Sequence, residues 1–219
     1  METTIAGEQL QLLPQKAIFW PSKRILFLAD LHLGKVNHFR RAGIPVPTRA
    51  NDRNLELIVD LVNLTHPDRL ICLGDLFHSH YNPEWETFGE LSKHFRATSF
   101  ELVMGNHDIM SDQQYRRKGI VVHDQLVLDP FLLTHHPVES DAQGKKKVPA
   151  GYNLAGHLHP GVTLRGSGRQ SITLPCFYFG RQAGLLPAFG TFTGLARIKP
   201  HKEDKVYVIV DEKIIAVES

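Results

Sequence analysis

Residues 24–35 read RILFLADLHLGK, an apolar run that ends at Asp30 and His32. A short apolar run bounded by a polar cluster is typical of a buried strand. The same pattern recurs four times along the chain, and each run ends in a cluster that contains aspartate, asparagine or histidine. These four segments are RLICLGD (69–75), FELVMGNHD (100–108), PFLLTHH (130–136) and YNLAGHLH (152–159).

A helical pattern follows each of the first three strand segments. Apolar residues recur at helical spacing over residues 49–63, Asn82-Pro83 has the form of a helix start, and Ser111 with Gln114 forms a capping-box pattern. Alternating strands and helices predict an α/β layered fold. In such folds functional side chains gather beyond the carboxyl ends of the strands, where each polar cluster is found.

The pattern changes after residue 160, where strand-like segments follow one another. These segments are residues 171–174, 176–179, 206–210 and 214–217. They predict a second, antiparallel sheet or an extension of the first sheet.

Composition narrows the class of protein. The length of 219 residues fits one compact domain that spans residues 1–219. A net charge of +2 excludes a bulk basic field, so contacts with nucleic acid would have to come from local patches. The absence of a signal-peptide pattern and of a long apolar stretch predicts a cytoplasmic protein without membrane contact. The two cysteines show no pairing pattern, whereas 13 histidines point to metal or acid–base chemistry.

The strand ends supply oxygen and nitrogen ligands and no thiol. If strand alternation continues, Asp30 and His32 face one side, and so do His157 and His159. Seven ligands exceed the needs of one tetrahedral site and suit two ions about 3.5–4 Å apart. Mixed carboxylate, amide and imidazole ligation suits Mn, Fe, Zn or Ni. The predicted ligands are Asp30, His32, Asp75, Asn106, His135, His157 and His159.

In order, the five segments resemble the motifs of the calcineurin-like metallophosphoesterases: D-x-H, G-D, G-N-H-D/E, a lone H and G-H-x-H. The resemblance covers residues 30–159. It implies an α/β fold of two mixed β-sheets packed face to face with flanking helices, a four-layer αββα sandwich. It also implies a metal-dependent phosphoesterase that holds two divalent ions.

The resemblance assigns a role to each predicted ligand. The implied ligands of the first ion are Asp30, His32 and His159, those of the second are Asn106, His135 and His157, and Asp75 bridges the two.

The resemblance also implies the catalytic residues. His107 would contact the substrate phosphate together with Asn106 and protonate the leaving oxygen, and Asp108 would orient His107.

Three histidines near the motifs leave alternatives open. His135 follows its strand directly and matches the motif, whereas His136 points the other way if the strand continues, so we favour His135 as the ligand. His78 and His80 follow the G-D motif closely and either line the site or lie on a solvent-exposed loop.

Two further stretches narrow the resemblance. ADLHLGKVNHFRRAGIPVP (29–47) and CFYFGRQAGLLPAFGTFTG (176–194) are similar to a bacterial subfamily of ligase-associated, DNA-damage-response metallophosphoesterases. This similarity implies a DNA-directed nuclease or phosphodiesterase in DNA repair. Among the metals that suit the ligand set, we expect Mn²⁺ first. It also implies a functional association with a DNA ligase, a helicase and an exonuclease.

Two other classes of function stay open. One is a phosphodiesterase or phosphatase for small molecules such as nucleotides, and the other is a scaffold that keeps the fold without catalysis. A scaffold requires lost ligands, and none of the seven is missing. Basic residues follow three of the motifs: Arg40, Arg41, Arg49 and Arg53, then residues 116–118, then Lys145–Lys147. They would favour DNA if they border the site, because a polymer carries phosphates beyond the scissile one. Solvated loops and helix ends are the alternative interpretation.

Overall fold

The computed structural model describes residues 1–35, 49–78, 83–138, 151–166, 168, 170–191 and 193–217. The residues named above that lie outside these ranges are Arg40, Arg41, His80, Asn82 and Lys145–Lys147.

One sheet has seven strands in sequence order, so each strand pairs with its neighbour along the chain. The first four pair antiparallel and the last four pair parallel. The strands are β1 (Glu2–Ile5), β2 (Glu8–Leu13), β3 (Ala17–Trp20), β4 (Ile25–Leu28), β5 (Arg69–Leu73), β6 (Ser99–Val103) and β7 (Ile120–His123).

Three described helices connect the parallel strands of this sheet: α1 (Arg49–Thr65), α2 (Pro83–His94) and α3 (Asp112–Arg117). All three predicted helices are confirmed. The capping pattern at the start of α3 is also present, since Gln114 Oε1 accepts hydrogen bonds from the Ser111 backbone N–H at 3.0 Å and the Ser111 hydroxyl at 2.9 Å. The apolar sides of the helices pack on one face of the sheet through Ile58, Phe88 and Tyr115.

The second sheet has nine strands and mixed pairing. Its main path runs β14-β11-β12-β13-β10-β9-β8, and β15 and β16 extend it from β12. The strands are β8 (Leu126–Leu128), β9 (Phe131–Thr134), β10 (Tyr152–Ala155), β11 (Pro160–Arg165), β12 (Ser171–Phe179), β13 (Ala183–Leu185), β14 (Ala196–Arg197), β15 (Lys205–Val210) and β16 (Lys213–Val217).

The predicted second sheet is confirmed, with two corrections. Residues 171–174 and 176–179 form one continuous strand, β12. The first half of β12 pairs with β11, and the second half pairs with β13 and β15. The sheet is also not wholly antiparallel, since β9 and β13 pair parallel with β10.

The two sheets pack face to face through a shared apolar layer. Phe27 and Ile71 from the first sheet and Leu133, Leu154 and Phe177 from the second belong to one buried cluster. The predicted fold of two mixed sheets with helices outside is therefore confirmed. Within the residues described, no helix has both the length and the apolar character needed to cross a membrane.

Candidate metal centre

Five of the seven predicted ligands have left-handed backbone conformations, with φ between 48° and 66°: Asp30, His32, Asp75, His157 and His159. Residues other than glycine rarely adopt this region, and each such residue costs about 1–3 kcal/mol. Strain of this kind clusters at functional sites, where the surrounding structure enforces it.

The expectation that strand alternation aligns these ligands was wrong. Strand β4 ends at Leu28 and β10 ends at Ala155, so Asp30, His32 and His157 lie in irregular segments beyond the strands. Backbone hydrogen bonds keep residues 30–33 alongside residues 74–76. The side chains still converge, for a different geometric reason from the one the sequence suggested.

Asp30, His32 and His159 form the first cluster, with ligand atoms within 4.8 Å of one another. His159 Nε2 lies 3.6 Å from Asp30 Oδ1, and the rings of His32 and His159 meet edge to face with centroids 5.5 Å apart. His159 Nδ1 lies 3.2 Å from the Gly194 carbonyl oxygen. Donation of the Nδ1 hydrogen to this carbonyl leaves the Nε2 lone pair facing Asp30.

Asn106, His135 and His157 form the second cluster. His135 Nδ1 lies 3.0 Å from the Leu73 carbonyl oxygen, which makes Nδ1 the hydrogen donor and leaves Nε2 with a lone pair. His135 Nε2 lies 3.1 Å from Asn106 Oδ1 and 3.1 Å from His157 Nδ1. The lone pairs of His135 Nε2 and Asn106 Oδ1 repel each other at this distance, and a cation between them would remove the repulsion. These ligand atoms therefore fit a metal ion.

Asp75 lies between the two clusters. Its Oδ2 is 3.8 Å from His32 Nε2 in the first cluster, and its Oδ1 is 3.5 Å from His135 Nε2 in the second. Oδ1 also accepts a hydrogen bond from the His107 backbone N–H at 2.9 Å. One carboxylate therefore faces both ligand groups.

His136 also lies close to the second cluster. It is exposed and its ring centroid is 4.0 Å from that of His157, and His135, His136 and His157 form a further group whose ligand atoms lie within 4.8 Å. The expectation that His136 points away fails because β9 ends at Thr134 and a bend follows. His135 is buried against both Asn106 and Asp75, which favours it as the ligand.

Buried polar atoms without partners provide an independent test of metal binding. In the part of the chain that the structure describes, Asp30 Oδ1 and both ring nitrogens of His32 are buried and have no hydrogen-bond partner. Burial, with the positive charge of Lys35 second, lowers the pKa of His32 to about 2, so the ring stays neutral and can offer a lone pair. Unsatisfied buried groups of this kind fit an ion.

His107 lies at the rim of the centre. Its ring meets His32 edge to face at 5.4 Å and stacks on His78 with centroids 5.0 Å apart and an interplanar angle of 23°. His78, which the sequence left undecided, therefore lines the site.

Asp108 binds backbone groups. Its buried carboxylate accepts hydrogen bonds from the Phe77 N–H at 3.2 Å and the Gly105 N–H at 3.0 Å. Burial raises the pKa of Asp108 to about 7, and these two N–H donors oppose the shift. The hydrogen bonds described for Asp108 join the loops that follow β5 and β6, and none of them reaches the His107 ring.

Residues 23–157 match the model of the calcineurin-like phosphoesterases. The chain belongs to this family. It is 30% identical to the nuclease MPE of Pseudomonas putida, with 99% of each chain covered and a TM-score of 0.81. It is 14% identical to Yfce, a phosphoesterase from E. coli, with 88% of this chain and 96% of that chain covered and a TM-score of 0.45. No curated protein sequence matches the chain significantly.

Membership makes the chain a metal-dependent phosphoesterase hydrolase. The G-D motif shows how tightly this phosphoesterase packs its centre. A Cβ atom at Gly74 would lie 2.1 Å from His135 Nδ1, so only glycine lets the imidazole reach the Leu73 carbonyl. The glycine of the motif thereby makes room for a predicted ligand from the opposite sheet.

Residues 186–191, 193 and 194, which we call the strap, complete the phosphoesterase centre, and sequence reasoning assigned them no structural role. The Phe189 N–H donates to the Ala29 carbonyl at 2.8 Å, and the Gly190 N–H donates to the Asp30 carbonyl at 3.1 Å. The strap also provides the Gly194 carbonyl that faces His159. The only sequence signal was the resemblance of residues 176–194 to the bacterial subfamily.

Replacing Gly190 with alanine should destabilise the centre. Its new Cβ would lie 2.3 Å from the Leu31 carbonyl oxygen, and overpacking of this kind costs about 1–3 kcal/mol. We expect the melting temperature to fall by about 2–10 °C and phosphoesterase activity to fall with it. Gly166→Ala is the control, because its Cβ would meet only atoms 3.8 Å away. Equal melting temperatures for the two variants would contradict a packing role for Gly190.

Proposed function

We propose that the chain is a two-metal phosphodiesterase that cleaves DNA and works in DNA repair. The observation that carries the two-metal part is Asp75, whose two carboxylate oxygens face ligand groups on opposite sides. A carboxylate in this position suits the bridging ligand of two ions about 3.5–4 Å apart.

The proposed ligands fall into two groups around that carboxylate. Carboxylate, amide and imidazole donors without a thiol suit Mn²⁺, our first choice, as well as Fe, Zn or Ni. The first ion takes Asp30, His32 and His159, the second takes Asn106, His135 and His157, and Asp75 serves both.

Bound divalent cations would supply Lewis acidity to the phosphate oxygens and lower the pKa of water. The residues of the chain then position the substrate and move the proton. His107 is half-buried at the rim, so its ring can reach a phosphodiester that enters from solvent. We assign it, with Asn106, to contact with the phosphate, and we assign proton donation to the leaving oxygen to a ring nitrogen of His107.

In this scheme Asp108 is a positioning residue. Its carboxylate holds the backbone N–H of Gly105, the residue before Asn106, and that of Phe77, two residues beyond Asp75. It thereby fixes the loop that carries His107, and no direct contact between the two side chains is needed.

The likeness to the Pseudomonas putida nuclease MPE over 99% of both chains supports a nucleic acid as the substrate, and we propose DNA. Exposed Arg116 and Arg117 at the end of α3 supply local positive charge after the third motif. Lys118 is less available, because it pairs with Glu86. A DNA ligase, a helicase and an exonuclease remain the proposed functional partners in repair.

Metal analysis and one substrate panel test the proposal. Protein prepared without chelator should contain about two divalent ions per chain. With Mn²⁺ it should cleave single-stranded or duplex DNA, and cleavage should weaken as salt rises because phosphate contacts release counterions. The panel adds RNA, bis-p-nitrophenyl phosphate and p-nitrophenyl phosphate.

Each result of the panel separates the candidate functions. Rapid hydrolysis of nucleotides without DNA binding or cleavage at low salt would replace the DNA assignment with a small-molecule phosphodiesterase or phosphatase. A stoichiometry fixed at one ion, unchanged in Asp75→Asn, would exclude the two-metal arrangement.

A further inference from the structure

A cavity of about 220 Å³ lies outside the proposed ligand groups. Four parts of the chain form its walls: the β2–β3 turn, helix α1, the strap and the β15–β16 turn. The residues that matter most are Gln15, Lys16, Arg53, Leu57, Phe189 and Thr191.

The cavity opens at the same edge of the first sheet as the metal centre. Strand β3 runs antiparallel to β4, with Ile18 opposite Phe27, so the β2–β3 turn lies where β4 ends and Asp30 follows. The cavity and the centre also share the strap. Phe189 and Thr191 line the cavity, and Gly190 between them donates its N–H to the Asp30 carbonyl.

The cavity is lined by two cationic side chains and an apolar wall. Lys16 and Arg53 supply the cationic groups, and Leu57 and Phe189 form the wall. Such a lining suits a ligand that combines negative charge with a flat ring.

Lys16 itself favours an anion. Burial lowers its pKa below the ordinary value for lysine, since few polar groups replace the lost water. A phosphate oxygen nearby would restore the charged form. Asp211 and Glu212 also line the cavity, and their exposed carboxylates suit amino groups and oppose a second phosphate.

We infer that this cavity is a subsite for one nucleotide of the DNA strand, flanking the nucleotide whose phosphodiester is cleaved. The inference rests on the proposed DNA function and specifies how the strand is held. The ring of the base lies against the apolar wall of Leu57 and Phe189, and the phosphate lies toward Lys16 and Arg53. A small ester reaches the metal centre without filling this space.

Cleavage of single-stranded oligonucleotides with one abasic residue at successive positions tests the subsite. Products are mapped at single-nucleotide resolution with Mn²⁺. For the wild type we expect cleavage to fall about tenfold at one fixed distance from the abasic residue, because that base can no longer fill the cavity. In the double variant Lys16→Met, Arg53→Met this local suppression should disappear, while cleavage at all positions becomes weaker.

Two measurements guard against misfolding and general charge effects. The double variant should hydrolyse bis-p-nitrophenyl phosphate at the wild-type rate, and Lys16→Gln alone provides a milder change if the double variant fails to fold. Lys23→Met is the matched control, because Lys23 is exposed at the other end of β4. It should keep the wild-type suppression.

The possible outcomes are distinct. Local suppression that is equal in the wild type and the cavity variants, or absent at every position in the wild type, would overturn the subsite while leaving DNA cleavage intact. Absence of any oligonucleotide cleavage by the Mn²⁺-loaded wild type, with the small diester still hydrolysed, would overturn the DNA function and the subsite with it.

Discussion

Replacing Asp75 with asparagine should abolish more activity than any other single ligand change. The amide cannot supply two anionic oxygens, so both ligand groups lose their shared carboxylate. Changes to groups that only support metal ligands already cost about 10–100-fold, and we expect Asp75→Asn to exceed that range. Metal content should fall from about two ions per chain to one or fewer, as measured by elemental analysis beside the rate of diester hydrolysis.

The matched control is Asp60→Asn, since Asp60 is exposed on α1. It makes the same chemical change without touching the centre and should keep both metal content and rate. Asp75 Oδ1 also accepts a hydrogen bond from the His107 backbone N–H, and the substitution weakens this bond by removing the negative charge. A melting curve of Asp75→Asn is therefore needed to exclude global unfolding. Full metal content with a near-normal rate in Asp75→Asn would contradict a bridging carboxylate.

Replacing His107 with alanine should separate catalysis from metal binding. The ring lies beside His32 and His78 at the rim, and neither ring nitrogen is needed to complete a ligand group. Metal content should stay at the wild-type value, while turnover of substrates with poor leaving groups falls about 10²–10⁴-fold, the usual contribution of a general acid. p-Nitrophenyl esters need little protonation and should lose far less.

The diagnostic quantity is the loss of turnover for substrates with poor leaving groups divided by the loss for substrates with good leaving groups, measured across a series. His201→Ala is the control, because His201 is exposed in the loop before β15. An equal loss for good and poor leaving groups would show that His107 only positions the substrate. A parallel loss of metal would make His107 a ligand instead.

Much of the fold could be predicted because its signals are local. The apolar runs at 24–29 and 69–73 and the capping pair Ser111–Gln114 lie within a few residues of the structures they specify, and each formed where expected. Order along the chain then placed β4, β5 and β6 side by side. The antiparallel strands β1 to β3 escaped notice because they precede the first motif.

The geometry of the centre could not be predicted in the same way. Asp30 and His157 have left-handed φ angles because tertiary contacts hold them there, and no side-chain pattern predicts such angles. The contact between Gly190 and the Asp30 carbonyl joins residues 160 positions apart in the chain. His136 shows the same limit, because the bend after Thr134 overrode the alternation assumed for the strand.

The strap follows every proposed ligand in the order of synthesis. All seven proposed ligands are present once residue 159 has been added, whereas the backbone groups that contact Asp30 and His159 belong to Gly190 and Gly194. A chain truncated before the strap would carry all seven proposed ligands without these contacts. We therefore expect such a truncated chain to bind metal weakly and to have little phosphoesterase activity.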